Sequence, residues 1–164
     1  MKNPDKFIIG IVIGVIALVI TAFVMVFLRP EPTYGPEDSP EGVAHNYLLA
    51  LQQGDYTRAH SYLSPSLAGY PDAEAFAEYV RNNGWLFNFS DGSVTLELEP
   101  ARRISDDRAV VPARARYFYQ GGLFNSSEYT NAFDMTLRRE NGAWKIISSD
   151  LYWAGCWNIE EGCQ

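Results

Sequence analysis

Residues 47–65 read YLLALQQGDYTRAHSYLSP and predict two helices joined by a tight turn. Apolar residues recur at helical spacing on both sides of the central Gly54-Asp55 pair. Glycine is typical of a helix end, aspartate is a favourable N-cap for the next helix, and Pro65 stops the second run. We therefore expect a helical hairpin near the start of a folded domain.

Further helical signals lie on both sides of this hairpin. Upstream, Ser39 is a favourable N-cap, Pro40 suits the first helical position, and Glu41 complements the helix dipole. Downstream, Asp72 is the N-cap of another helical run, which ends near Asn83. The sequence thus predicts three helices in succession before any strand.

After residue 93 the apolar residues recur with a period of two, which is typical of strands that are buried on one face. Asn141-Gly142 is a strong hairpin signal, and Pro112 predicts a bulge, a strand start or an edge position. The sequence therefore predicts four antiparallel strands, near residues 94–98, 111–117, 133–137 and 144–151.

This order of elements predicts an α+β fold, with three helices packed on one face of a curled antiparallel sheet of about four strands. Residues 47–65 resemble the opening helix pair of the NTF2-like superfamily, and RRENGAWKIISSDLYW (138–153) resembles its last hairpin. The resemblance covers residues 40–152 and implies a cystatin-like cone. It implies no single activity, because the superfamily includes isomerases, dehydratases, hydrolases, transport factors, secretion-channel components and non-catalytic modules.

Residues 7–28, FIIGIVIGVIALVITAFVMVFL, contain no charge, amide or proline. As a helix they extend about 33 Å, which is enough to cross a hydrocarbon core of about 30 Å. Lys2 and Lys6 precede the segment and acidic residues soon follow it, so the positive-inside rule places the N-terminus in the cytoplasm. A cleaved signal peptide is the alternative, although it usually has a shorter apolar core and a small-residue cleavage site. We expect a single-pass membrane anchor.

The predicted organisation has five parts: a cytoplasmic N-terminus (1–6), the transmembrane anchor (7–28), a stalk with four prolines (29–40), an NTF2-like domain (41–152) and a C-terminal tail (153–164). The part beyond the anchor carries eleven basic and nineteen acidic residues, a net charge of −8. Such a surface repels phosphate backbones, so we expect no binding to nucleic acid. We expect this part to lie outside the cytoplasm, at the cell membrane.

Cys156 and Cys163 are the two cysteines of the chain, and both lie in the tail. An oxidising compartment favours their pairing, and two thiols without nearby histidine ligands are a poor zinc site. They also lack the C-x-x-C spacing of redox-active pairs. The sequence predicts a disulfide that closes the loop WNIEEG, and it predicts no metal ion and no cofactor.

Candidate ligand-binding residues follow from the resemblance, because the similar enzymes work inside the cone with carboxylates, tyrosines or histidines. Asp134 is opposite in phase to the apolar residues Phe133, Met135 and Leu137 of its strand. It is solvated if those residues face the helices, and it is a desolvated carboxylate with a raised pKa if the other face lines a cavity. Asp150 is open to the same two interpretations. His45, on the first helix, lies either at the rim of the pocket or half exposed on the helix surface.

Aromatic residues form the other candidate surface. Tyr117, Phe118 and Tyr119 follow one another on a strand, so their rings lie on both faces of the sheet. Tyr117 and Tyr119 then belong to an aromatic ligand surface or a dimer face. The alternative is that the sheet is closed by Trp153, Trp157 and the disulfide tail.

We expect a non-catalytic, membrane-tethered binding or interaction module, because the chain has no acid–histidine pair matched to those of hydratase-like or isomerase-like members. Its expected partners are the lipid bilayer, through the N-terminal helix, and a second copy or an envelope protein, through the open sheet face. Two alternatives remain. One is an enzyme or carrier for a small hydrophobic ligand in the cone, and the other is a structural subunit of an envelope secretion assembly.

Overall fold

The computed structural model describes residues 4–28, 32–87, 89, 94–120 and 126–163. They form two units, Met1–Pro32 and Thr33–Gln164. The first unit contains helix α1 (Pro4–Phe27), whose segment Phe7–Met25 has a mean hydropathy of 3.1. By length and composition this segment is able to cross a membrane, although a signal sequence near an N-terminus has the same properties. Residues 29–31 of the predicted stalk lie outside the described residues.

The second unit begins with three helices, α2 (Pro40–Gln53), α3 (Tyr56–Ser61) and α4 (Ala73–Asn82). The predicted N-caps form, because the side chains of Ser39, Asp55 and Asp72 accept hydrogen bonds from backbone N–H groups in the first turns. Gly54 ends α2 with a φ of 70°, a left-handed conformation that costs glycine little. The prediction of three successive helices is confirmed.

Within the described residues the sheet contains five strands, β1 (Val94–Leu98), β2 (Arg102–Arg103), β3 (Arg108–Gln120), β4 (Ser126–Glu140) and β5 (Ala143–Ser149). Its order is β1-β3-β4-β5, all neighbours are antiparallel, and β2 also pairs with β3. The two-residue β2 was not predicted, because two residues are too few to show alternation. Asn141 and Gly142 both have positive φ, as the predicted two-residue hairpin between β4 and β5 requires.

Pro112 lies inside the central strand β3. It lies opposite a bulge in the adjacent segment of the sheet, residues 99–101. Leu98 pairs with Ala113 and Arg102 pairs with Val110, so the three residues 99–101 lie opposite only two residues of β3. The N–H of residue 99 donates to the Pro112 carbonyl at 2.8 Å. A proline lacks a donor, and the ladder is interrupted at this point, so the bulge is the alternative that the structure supports.

The hydrophobic core lies between the helices and one face of the sheet. The inward-facing strand positions alternate with exposed or half-buried ones, as the period of two predicted. Each large apolar side chain that is fully buried contributes about 1.5–3 kcal/mol relative to exposure. The largest fully buried side chains of the helices and strands are Tyr47, Leu48, Phe76, Met135, Leu137 and Ile146.

The residues after β5 are also part of this core. Trp157, in the short 3₁₀ helix Gly155–Asn158, is fully buried. Its ring lies 5.1 Å from that of Phe76, 6.0 Å from Tyr79 and 4.9 Å from Trp153, measured between centroids. The tail therefore packs against α4 and completes the aromatic core.

The last part of the predicted stalk packs against α2 and α3. Asn46 is fully buried and makes two hydrogen bonds with the backbone of Gly35, accepting at 2.7 Å and donating at 2.9 Å. The Arg58 guanidinium lies 3.5 Å from the centre of the Tyr34 ring, and Glu37 accepts a hydrogen bond from Tyr62 at 2.7 Å. Residues 34–37 are thus attached to the folded domain.

Candidate functional site

The two candidate carboxylates, Asp134 and Asp150, lie next to each other on the outer face of the sheet, away from the helices. The Asp150 carboxylate accepts a hydrogen bond from the Asp134 backbone N–H at 3.0 Å. The Asp134 carboxylate pairs with Arg102 at 2.9 Å, and its side chain is 48% exposed. Asp134 is therefore a solvated, paired carboxylate, which is the first of the two expectations stated above.

A shallow depression surrounds these carboxylates, with a volume of about 380 Å³. Glu99 and Arg114 line it, and they form an ion pair of 2.5 Å. Arg116 pairs with Glu97 at 3.4 Å and with Glu128 at 3.2 Å on the same face. The outer face of the sheet is thus polar, with a row of arginines on β3 between acidic residues of β1 and β4.

The candidate tyrosines form a stack on the opposite face of the β3–β4 pair. We define the tyrosine stack as Tyr117, Tyr119 and Tyr129. The Tyr129 ring is nearly parallel to those of Tyr117 and Tyr119, at centroid distances of 4.6 Å and 5.6 Å. Tyr119 and Tyr129 are 51% and 44% exposed, so the C-terminal tail does not cover this part of the sheet.

The inner end of the tyrosine stack is continuous with the core. The hydroxyl groups of Tyr117 and Tyr152 are hydrogen-bonded at 2.9 Å, and the Tyr152 ring stacks on Phe89 at 4.3 Å. The hydrogen bond with Tyr119, partial burial and the neighbouring phenols raise the pKa of Tyr129 to about 12. The Tyr129 phenol is therefore neutral at ordinary pH.

The histidines lie elsewhere. His45 is half buried, and its Nδ1 is 3.3 Å from the side-chain oxygen of Asn46, beside residues 34–37. His60 Nε2 is 2.8 Å from the Pro71 carbonyl oxygen, and its ring packs against Tyr70 and Phe76. The described contacts of His45 include neither the carboxylates nor the tyrosine stack, so the structure does not bring the five predicted ligand-binding residues into one site.

Large side chains of the described residues occupy the space between the helices and the sheet. Tyr47 and Leu48 enter it from α2, Phe76 enters from α4, and Met135 enters from β4, all with less than 2% exposure. Trp157 fills the end beside α4. In the described part of the chain, no three His, Cys, Asp or Glu side chains are grouped as a possible metal site.

The sequence did not predict the largest recess among the described residues, a groove between α4 and the disulfide loop. We name it the α4 groove. It has a volume of about 750 Å³, and its lining includes Tyr70, Glu78, Tyr79, Trp157, Glu160 and Cys163. Its residues come from three separate segments, and none of these segments carries a periodic or motif signal for binding. The predicted disulfide is the one feature of the sequence that indicated a fixed loop here.

Two features hold the wall of the α4 groove in place. Cys156 and Cys163 form the predicted disulfide, with their Cα atoms 5.1 Å apart. The Gly69 backbone N–H donates to the Trp157 carbonyl at 3.0 Å. A Cβ at Gly69 would lie 2.5 Å from the Cys156 carbonyl oxygen and 2.9 Å from the Gly162 Cα. Only a residue without a side chain allows this approach of the two backbones.

The fold is similar to several solved structures. They include a SEC-C motif protein from Rhodopseudomonas palustris (15% identity, 73% of this chain and 83% of that chain, TM-score 0.48). They also include an NTF2-like protein of unknown function from Shewanella oneidensis (13% identity, 65% and 90%, TM-score 0.44) and a protein of unknown function with a cystatin-like fold from Nostoc punctiforme (16% identity, 66% and 84%, TM-score 0.47).

These similarities concern the arrangement of the chain and say nothing about its activity. No protein-family model matches the sequence, and no curated protein matches it. The class that the structure itself defines is an α+β domain with helices on one face of a curled antiparallel sheet, preceded by an apolar helix.

Proposed function

We propose that this chain is a membrane-tethered, extracytoplasmic binding module without catalytic activity. The observation that carries the proposal is the interior filled by large buried side chains in the described part of the domain. An enzyme or carrier of the predicted kind needs a cavity of about 300 Å³ or more inside the cone. The described recesses are instead on the surface, and the largest of those described is the α4 groove. A domain with a filled interior and an open groove is suited to contact other macromolecules.

The apolar helix and the disulfide support the proposed location. Phe7–Met25 is long and apolar enough to span a bilayer, and disulfides persist mainly in oxidising compartments. In the proposed orientation the N-terminus is cytoplasmic and residues 29–164 lie outside the cytoplasm. Protease treatment of intact cells, or of spheroplasts where an outer barrier exists, tests this on the full chain with a C-terminal epitope tag. Loss of the tag is expected, and a protected tag in intact membranes would contradict the proposed topology.

Photo-crosslinking in living cells tests the proposed binding. A benzophenone amino acid is placed in the full chain at Ile159 beside the α4 groove, at Tyr119 in the tyrosine stack, or at Phe118 on the outer face. All three positions are at least 44% exposed. We expect a discrete adduct at one or more of them, with a protein that binds the purified full chain directly. Folded, correctly inserted protein that gives no discrete adduct at any of the three positions contradicts the proposal.

The outer face of the sheet is a less suitable docking surface than the sequence suggested. Its arginines already pair with Glu97, Glu99, Glu128 and Asp134. A partner that docked there would have to break these pairs and form new exposed ion pairs in their place. Exposed ion pairs contribute little net stability, so the exchange would give little binding energy. The proposed homodimer through this face is therefore the less favoured arrangement, and sedimentation of the full chain in detergent tests it.

A further inference from the structure

The α4 groove carries negative charge that its own walls do not neutralise. Glu78 lies on the α4 wall and Glu160 on the wall formed by the disulfide loop. Neither carboxylate has an ion pair or a hydrogen bond within the described part of the chain, and the described lining contains no lysine, arginine or histidine. On the sheet, by contrast, Glu97, Glu99 and Glu140 are each paired with an arginine.

Aromatic residues line the same groove as these carboxylates. Tyr70 and Tyr79 line the groove, and the Tyr79 ring packs on the fully buried Trp157 with the centroids 6.0 Å apart. Tyr70 and Ile159 are 37% and 51% exposed, and the Ile159 backbone lies against Gly69 at the same end of the groove. Aromatic faces attract ammonium and guanidinium groups, and exposed rings also accept the aliphatic stems of lysine and arginine.

We infer that the α4 groove binds a basic segment of a partner polypeptide. Lysine or arginine side chains of this segment pair with Glu78 and Glu160, and its apolar atoms pack on Tyr70 and Tyr79. This inference rests on the proposed function, because it names the class of partner that the binding module takes. Charge complementarity favours a basic partner, since two acidic residues without an ion pair in the described part of the chain line one open groove of about 750 Å³.

The geometry favours a polypeptide over a small free cation. The groove is open to solvent, so a small cation bound there keeps most of its water and gains little from exposed carboxylates. A polypeptide segment gains apolar contact with the rings at the same time as the ion pairs. The disulfide and the close approach at Gly69 hold one wall in place before binding, which lowers the entropic cost of ordering the groove.

A direct binding measurement tests this inference. The full chain is placed in nanodiscs of phosphatidylcholine, which has no net charge to attract the probe. The probe is a fluorescently labelled pentapeptide, Lys-Tyr-Lys-Tyr-Lys, followed by anisotropy. We expect saturable binding that weakens as salt is added, because exposed charges are screened within about 8–10 Å at physiological ionic strength.

Three variants locate the binding. Glu78→Gln and Glu160→Gln each keep the size of the side chain and remove its charge, and each is expected to weaken binding about 2- to 5-fold. The control is Asp106→Asn, which changes the net charge equally in the exposed turn before β3, outside the groove. Its affinity is expected to stay within about 1.5-fold of the unmodified chain, since the interaction of one remote exposed charge is screened.

Three results would overturn the inference. The first is no saturable binding of the pentapeptide up to about 1 mM. The second is an equal loss of affinity in all three variants, which would mean that only net charge matters. The third is full displacement of the peptide by an equal concentration of spermidine, which would make the groove a site for small cations.

The failure of this inference is separable from a failure of the proposed function. A discrete adduct at Tyr119 or Phe118, without binding of the basic peptide, would contradict the inference about the groove. It would still support the proposed binding module. The absence of adducts at all three positions, including Ile159, would contradict the proposed function as a binding module.

Discussion

The Tyr47 hydroxyl donates a hydrogen bond of 2.7 Å to the backbone carbonyl of Tyr152. Tyr47 lies on α2 and is fully buried, and burial raises its pKa far above the ordinary value, so it remains a neutral donor. Tyr152 lies just after β5 and has a φ of 56°, which is uncommon for a residue other than glycine. This bond therefore ties the first helix of the domain to the turn that leads into the disulfide loop.

Replacing Tyr47 by phenylalanine tests the contribution of this bond. We expect Tyr47→Phe to lower the free energy of unfolding by about 1–3 kcal/mol, because the buried Tyr152 carbonyl loses its donor. Urea denaturation followed by tryptophan fluorescence measures the change. The control is Tyr56→Phe, because Tyr56 is half buried and its hydroxyl makes no described hydrogen bond. It is expected to change stability by less than about 0.5 kcal/mol, and equal effects of the two variants would contradict the assignment.

Gly69→Ala tests the contact that positions the disulfide loop. The new Cβ would fall against the carbonyl oxygens of Ile159 and Cys156, which are backbone atoms that cannot rotate away. We expect a loss of about 1–3 kcal/mol in unfolding free energy, as for other overpacked sites. Gly155→Ala is the control in the same loop, because a Cβ there has no neighbour within 4 Å and its φ is not positive. Thermal melts that do not differ between the two variants would show that the loop adapts freely.

The contacts of the Glu140 carboxylate predict that the domain loses stability at acidic pH. Burial alone raises the pKa of its carboxyl, but hydrogen bonds from Ser64, Arg138 and Ser66 and the charge of Arg138 outweigh burial and hold the pKa below its usual value. The folded state then binds this proton less tightly than the unfolded state. The stabilisation is complete above the unfolded pKa of about 4.3 and is lost as the pH falls through the folded pKa.

Glu140→Gln separates this carboxylate from the other acidic groups. At pH 7 we expect a loss of about 1–3 kcal/mol, because an amide does not replace the charged hydrogen bonds to Arg138 and the two serines. Below about pH 4 the difference from the unmodified chain is expected to shrink. Denaturation curves at a series of pH values measure it. A difference that is constant over the whole series would contradict the role given to the ionised carboxylate.

Reduction of the Cys156–Cys163 disulfide is expected to destabilise the domain. The bond closes a short loop, with a sequence separation of 7, and the loss of that constraint on the unfolded chain corresponds to about 2 kcal/mol. Melting temperatures with and without a reducing agent measure the effect. The Cys156→Ala, Cys163→Ala double variant is the control, because its melting temperature should not respond to the reductant. A response in that variant would mean that the reductant acts elsewhere.

Part of the candidate site could be predicted from sequence because it depends on local alternation. The period of two correctly separated Asp134 from Phe133 and Met135, and it placed Tyr117 and Tyr119 on one face. It could not show that Asp134 and Asp150 meet, because that depends on the β4–β5 register and on the irregularity between Thr136 and Leu137. Nor could it show Tyr129 between the two other tyrosines, which follows from its pairing with Tyr117 across β3 and β4.

The caps at Ser39, Asp55 and Asp72, the Asn141-Gly142 turn, the apolar helix and the disulfide all followed from the amino-acid sequence alone. Each depends on a few neighbouring residues, or on two cysteines in one short segment, so local conformational preferences and simple chemistry are sufficient. The filled interior and the α4 groove were decided only by the tertiary structure. They depend on how residues far apart in the chain pack against one another, such as Phe76 against Trp157 and Gly69 against Cys156. Such packing depends on shape and distance between segments, which no local pattern encodes.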